Sequence, residues 1–142
     1  MSPRWVPDPN VRRGRSVIHD LHVHLVFVTK DRRGPFTDEI LTRCEEVMRS
    51  VCTDFGAELH EFNGGTDHVH LVLHYAPQVK LSTLAGSLKG VSARRLRQEY
   101  PEHIRKYLRG NHFWSPSYFA GSCGGAPLTV IEEYIESQKR SA

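Results

Sequence analysis

The string His-Val-His-Leu-Val occurs twice in this chain of 142 residues, at positions 22–26 and 68–72. Each copy lies in a segment rich in aliphatic and β-branched residues, which predicts a β-strand. Residues two apart in a strand point to the same face of a sheet, so each copy places two imidazoles on one face and aliphatic side chains on the other. We therefore expect both strands to lie at the centre of one sheet.

Turn signals and helical spacing divide the rest of the chain into short elements. Thr37 is suited to cap a helix, Gly56 to end it, and Pro101 to interrupt a later one. The predicted elements are a strand at 18–30, a helix at 37–55, strands at 57–62 and 68–75, a helix at 82–100, a strand at 113–120 and a last helix. The first six match a ferredoxin-like βαββαβ sandwich with an antiparallel sheet, an α+β fold, to which the C-terminal helix is added.

Length and composition predict a single domain at residues 17–142. Residues 1–16 hold three prolines and four arginines and little apolar material, which predicts a basic, mobile N-terminal arm. No apolar run is long enough to span a membrane, no signal peptide is present, and Cys44 and Cys52 fall on the apolar stripe of the first helix. These features predict a cytoplasmic protein with reduced cysteines.

The net charge of +3 is unevenly distributed. Residues 1–34 carry seven Lys or Arg against three Asp or Glu, residues 80–110 carry eight against two, and residues 35–79 carry two against eight. Clustered positive segments of this kind are typical of a surface that binds a polyanion. We interpret the pattern as favouring nucleic acid as the partner, with a merely solvated surface as the alternative.

The histidine pairs indicate a metal site, because neutral imidazole is the commonest metal ligand among side chains. Two ligands make an incomplete site, and from the residues alone either pair, at 22 and 24 or at 68 and 70, is able to hold an ion. On the last helix Tyr134 and Gln138 are four residues apart and so lie on one face. In one interpretation of that face, Tyr134 is a nucleophile and Gln138 is a further metal ligand. In the other, Tyr134 is a half-buried aromatic residue and Gln138 is merely its polar neighbour.

Five motifs occur in an order and spacing that resemble one family of enzymes. They are Lys30-x-Arg32-Arg33 after the first strand, residues 65–71 (Gly-Thr-Asp-His-Val-His-Leu), residues 88–90 (Leu-Lys-Gly), residues 113–119 (Phe-Trp-Ser-Pro-Ser-Tyr-Phe) and residues 134–138 (Tyr-Ile-Glu-Ser-Gln). Together they resemble the single-tyrosine HUH transposases of small bacterial insertion sequences (IS200-like and IS605-like), or the closely related REP-associated tyrosine transposases. The resemblance extends over about residues 18–139.

The resemblance implies a metal-dependent enzyme. In it His68, His70 and Gln138 bind Mg²⁺ or Mn²⁺, and Tyr134 is the nucleophile that forms a 5′-phosphotyrosine. It implies single-stranded DNA with hairpins as the substrate and a homodimer in which the tyrosine helix can act in trans, with no membrane partner. The candidate phosphate contacts are Lys30, Arg32, Arg33, Lys89, Arg94, Arg95 and Arg97.

Two other functions remain open at this stage. A relaxase or replication-initiator nickase uses the same chemistry without rejoining the strands. A non-catalytic single-stranded nucleic-acid-binding module of ferredoxin-like fold needs only the basic segments and aromatics such as Phe113 and Trp114. The resemblance favours the transposase and assigns the metal to the second histidine pair, leaving His24 as a strand residue and His22 as a structural or surface one.

Overall fold

A computed structural model describes residues 12–13, 18–122 and 128–138 of the chain. Most of the predicted N-terminal arm, residues 1–11 and 14–16, lies outside the described residues. The strands are β1 (Arg12–Arg13), β2 (Ile18–His19), β3 (Leu21–Val28), β4 (Glu58–Gly64), β5 (His68–Tyr75) and β6 (Phe119–Ser122). The helices are α1 (Asp38–Asp54), α2 (Leu81–Glu99), α3 (Pro101–Tyr107) and α4 (Leu128–Ser137), with a 3₁₀ turn at Lys30–Arg32.

The four longer strands form one antiparallel sheet in the order β4-β5-β3-β6. The two strands with the repeated string, β3 and β5, pair side by side along their whole length, with His22 opposite His74 and Val28 opposite His68. They are the two central strands, as the sequence predicts. From β3 to β6 the elements follow the predicted ferredoxin-like βαββαβ order, with the short helix α3 added after α2, and α4 comes after β6.

Helices α1 and α2 cover one face of the sheet, which we call the core face. The residues that alternate with the histidines, Val23 and Leu25 of β3 and Val69 and Leu71 of β5, are buried there against both helices. Thr37 caps α1 by accepting a hydrogen bond from the Ile40 amide at 3.2 Å, and Gly56 follows the helix with a φ of 71°, both as expected from the sequence.

The opposite face of the sheet, which we call the histidine face, is covered in part by α4. Ile131 and Ile135 of α4 pack on Val26 and Val28 of β3, and all four are buried. Because residues alternate along a strand, the histidines of β3 and β5 share this face with those valines. The helix therefore lies on the face that carries the imidazoles.

The last strand of the sheet differs from the prediction. Instead of running over residues 113–120, β6 begins at Phe119, and Trp114 makes only an isolated bridge to Thr29. Pro116 lacks the amide hydrogen that a continued ladder would need. The buried Phe113 and Trp114 pack in the core, so their aromatic character reflects burial and not strand pairing.

Candidate active site

His68 and His70 begin strand β5, immediately after the loop that connects it to β4. Their rings are nearly parallel, with an interplanar angle of 16° and centroids 6.2 Å apart. Both are half-buried and lie beside Val28 and Val26 of β3. Strand alternation thus brings the two imidazoles to one side of the sheet, where they can bind a common ion.

Asp67 holds the ring of His68 in place. Asp67 Oδ1 lies 2.9 Å from His68 Nδ1, and Oδ2 lies 3.2 Å from Arg32 Nε. Burial opposes ionisation of Asp67, but the His68 hydrogen bond and the Arg32 charge outweigh it, so the pKa of this carboxyl lies below its ordinary value. A carboxylate on one imidazole nitrogen fixes the tautomer and leaves the other nitrogen, here Nε2, for a metal ion.

His70 contacts a histidine of the other string. Its Nδ1 lies 3.4 Å from His24 Nε2. The pKa values of both imidazoles are lowered, mainly by burial, and that of His70 also by the neighbouring His24 and His68. Neutral imidazoles are the form that binds metals. His24, expected to be only a strand residue, therefore lies against the site.

A cleft of about 480 Å³ opens between the histidine pair and α4. Its lining residues are Arg32, Gly65, Thr66, Asp67, His68, His70, Ile131, Glu132, Ile135 and Glu136. Gly65 is needed at its position, because a Cβ there would come within 2.8 Å of the His68 ring. Arg32 Nη1 reaches Glu136 Oε2 at 3.5 Å and so links the Asp67–His68 pair to the helix.

Tyr134 and Gln138 lie on the side of α4 that does not line this cleft. Tyr134 Oη shares a hydrogen bond of 2.9 Å with Ser117 Oγ, and its ring packs on Phe119 of β6. Gln138 Oε1 accepts a hydrogen bond of 2.9 Å from Ser115 Oγ. Burial raises the pKa of Tyr134 and the Ser117 hydrogen bond offsets this only in part, so the phenol is protonated at neutral pH.

One chain does not bring its histidine pair and its tyrosine together. Strand β3 lies between β5, which carries His68 and His70, and β6, on which Tyr134 packs. Two strand spacings correspond to about 10 Å. Within the described residues no hydrogen bond joins Tyr134 or Gln138 to either histidine, and neither residue lines the histidine cleft.

The predicted basic contacts have three kinds of surroundings. Lys30 and Arg33 line a cleft of about 390 Å³ with Lys106 and Arg109, two basic residues that no sequence motif marks. Others make structural contacts: Arg32 pairs with Asp67, Lys89 Nζ donates to the Ser115 and Pro116 carbonyls, Arg95 pairs with Glu99, and Arg97 donates to the Leu108 and Gly110 carbonyls. Arg94 is exposed on α2.

In the part of the chain that the structure describes, no helix is long and apolar enough to cross a membrane.

Comparison with known proteins identifies the family to which this chain belongs. A family model described as IS200-like transposase matches residues 17–138. The ISDra2 transposase TnpA of Deinococcus radiodurans is 31% identical over 90% of this chain and 91% of its own length. The IS200 transposase of Salmonella typhimurium is 30% identical over 81% of this chain and 74% of its own length.

Solved structures of transposases have the same fold as this chain. A crystal structure of a candidate transposase from Deinococcus radiodurans superposes with a TM-score of 0.84 at 32% identity, over 92% of this chain and 99% of that one. A REP-associated tyrosine transposase bound to a REP hairpin shares the fold, with a TM-score of 0.56 at 10% identity over 89% of this chain and 69% of that one. The chain thus belongs to the IS200-like transposase family, whose members are DNA cleavage and transfer enzymes.

Proposed function

We propose that this transposase cuts and rejoins single-stranded DNA at hairpin-marked ends through a 5′-phosphotyrosine on Tyr134. Tyr134 Oη attacks the phosphorus of one phosphodiester and loses its proton, the bond to the 3′ oxygen breaks, and that oxygen leaves as a hydroxyl after taking up a proton. One phosphodiester is exchanged for another, so a later 3′-hydroxyl can reverse the step and join strands. The REP hairpin bound by the more distant relative supports a hairpin substrate.

His68, His70 and Gln138 are the proposed ligands of Mg²⁺ or Mn²⁺. Both imidazoles meet their neighbours through Nδ1, which leaves Nε2 of each ring for an ion. The amide oxygen of Gln138 is a hard ligand of the kind these ions accept. When bound, the ion neutralises charge that develops on the phosphate oxygens and orients the scissile bond.

The separation of the two halves of the site supports a dimer as the active form. In one chain Tyr134 and Gln138 point to serines beside β6, while His68 and His70 lie across β3. Two copies related by a two-fold axis can place the α4 helix of each beside the histidines of the other. We therefore propose that Tyr134 and Gln138 complete the site of the partner subunit.

The observation that carries this proposal is the Asp67–His68–His70 arrangement, which faces the helix that also bears Tyr134 across a cleft. To test the proposal, hairpin-bearing single-stranded DNA labelled at the 3′ end is incubated with the protein and Mn²⁺. The products are then separated on a denaturing protein gel. Wild type is expected to carry label covalently. Tyr134→Phe is expected to lose the labelled adduct entirely, since it lacks the attacking oxygen. Tyr75→Phe is the control, because Tyr75 lies at the end of β5 remote from His68.

An undiminished adduct in Tyr134→Phe would overturn the assignment of the nucleophile. Salt-sensitive DNA binding with no adduct in wild type would instead support the non-catalytic binding module. Cleavage without rejoining on addition of a free 3′-hydroxyl end would support the nickase.

A further inference from the structure

Three histidines outside the proposed catalytic site converge at the far end of the histidine face. His22 of β3, His60 of β4 and His74 of β5 each offer one ring nitrogen, and these three atoms all lie within 4.8 Å of one another. His74 is six residues beyond His68 along β5, a distance of about 20 Å in a strand. Among the described residues, this is the one group of three or more His, Cys, Asp or Glu side chains with metal-binding geometry.

A β-bulge adds His60 to this group. Pairing between β4 and β5 passes from Leu59 opposite Leu73 to Glu61 opposite Val72, so His60 is an extra residue without a partner in the ladder. Its ring lies 5.3 Å from that of His74 and 5.4 Å from that of His22. Bulges of this kind redirect a side chain at functional positions, and here the redirected side chain is the third imidazole.

Two carboxylates contact the three imidazoles. Asp20 Oδ1 lies 3.1 Å from His22 Nδ1 and 3.5 Å from His74 Nε2, and Glu58 Oε2 lies 3.3 Å from His60 Nε2. These contacts leave Nε2 of His22 and Nδ1 of His60 for a ligand. Carboxylates behind histidine ligands are the usual second layer of a metal site, where they orient the ring and raise its basicity.

We propose that His22, His60 and His74 bind a divalent transition-metal ion of the Zn²⁺ class. Three imidazoles suit Zn²⁺, Co²⁺, Ni²⁺ or Cu²⁺ and not Mg²⁺, which prefers oxygen ligands. Nitrogens bound to tetrahedral Zn²⁺ lie about 3.3 Å apart. The ring nitrogens, within 4.8 Å of one another, therefore close by up to about 1.5 Å around the ion. Rotation of the stacked His22 and His74 rings, now 4.0 Å apart, provides that adjustment.

Such an ion joins three neighbouring strands, β3, β4 and β5, at the end of the sheet remote from His68. The site is separate from the proposed catalytic one in place and in metal preference. Its existence does not depend on whether Tyr134 is the nucleophile.

The test uses full-length, untagged protein in which His68 and His70 are both replaced by alanine, so that the other histidine pair contributes nothing. Co²⁺ is titrated while the visible absorption of tetrahedral cobalt is recorded, and Zn²⁺ is then added in competition. We expect one Co²⁺ per chain, displaced by Zn²⁺ and unaffected by millimolar Mg²⁺. Adding His60→Ala is expected to weaken Co²⁺ binding by about 100-fold or more. Loss of a metal ligand lowers metal affinity at least as much as loss of a residue that is hydrogen-bonded to that ligand.

The added variant His112→Ala is the matched control, because His112 is exposed and lies in a loop after α3. His22→Ala is the second disrupting variant, and Zn²⁺ is expected to raise the melting temperature of the parent protein and of the His112 control but of neither disrupted one. The proposal is overturned if the parent protein binds no cobalt, or if His60→Ala and His22→Ala bind it as tightly as the control. In that case the three rings are a packing cluster only.

Discussion

Asp67 orients one ring of the histidine pair, that of His68. Its two carboxylate oxygens contact His68 and Arg32, and it is 6% exposed. The sequence places Asp67 directly before His68, but the bond to Arg32 depends on the 3₁₀ turn at Lys30–Arg32 and on pairing between β3 and β5. Residue types and spacing predict the imidazoles, and the contacts that orient them follow only from the fold.

Asp67→Asn is expected to weaken Mn²⁺ binding by about 10- to 100-fold, since it removes the negative charge behind His68 while keeping its size. Isothermal titration of the metal-free protein measures this affinity. Asp54→Asn, an exposed change at the end of α1, is the control and is expected to bind Mn²⁺ as wild type does. Equal affinities for the two variants would contradict the orienting role of Asp67.

The contact between His24 and His70 could be derived only once the register was known. The repeated string predicts two strands with two imidazoles each, but not which imidazoles meet. Antiparallel pairing sets Val26 opposite His70, which makes His24 its diagonal neighbour, and sets His22 opposite His74 at the other end. The register thus divides the repeated histidines between two separate groups.

At the scale of elements, the described part of α4 is joined to the sheet by a small apolar cluster on the histidine face. Four buried residues join it to the sheet, Ile131 and Ile135 to Val26 and Val28, whereas α1 and α2 share the large core of the other face. The amphipathic spacing of α4 predicts a helix, but periodicity does not say on which side of it the sheet lies, nor that Tyr134 packs on Phe119. That arrangement depends on tertiary packing.

Ile135→Ala is expected to lower the free energy of opening of α4 by about 2 kcal/mol or more, because it deletes a buried side chain. Hydrogen exchange read by mass spectrometry should show faster exchange in α4 and unchanged protection in α1 and α2. Val130→Ala on the same helix is the control, since Val130 is 38% exposed. Uniformly faster exchange in all helices would contradict a separately opening α4.

Across the whole molecule, the fold is the part most fully predicted from the sequence. Local patterns determine the βαββαβ order, and the apolarity of β3 and β5 indicates their central place, which the structure confirms. The exception is β6. Phe113 and Trp114 give their segment the aromatic content of a strand, but both residues are buried in the core and precede the strand. The proposed pairing of Tyr134 with His68 and His70 does not follow from the pattern of a single chain, because β3 lies between β5 and the strand on which Tyr134 packs.

The central claim is that Tyr134 of one subunit acts with His68 and His70 of another, and mixing inactive variants tests it. Tyr134→Phe and the double variant His68→Ala/His70→Ala are unfolded and refolded together, one carrying a tag that changes its size, and incubated with Mn²⁺ and the labelled hairpin DNA. Each alone is expected to form no adduct. The mixture is expected to regain about a quarter of the wild-type yield, since half of the dimers are mixed and each has one complete site.

The labelled adduct is expected on the double-variant chain, which is the one that keeps Tyr134. A mixture as inactive as its components, while wild type treated in the same way forms the adduct, would contradict the account.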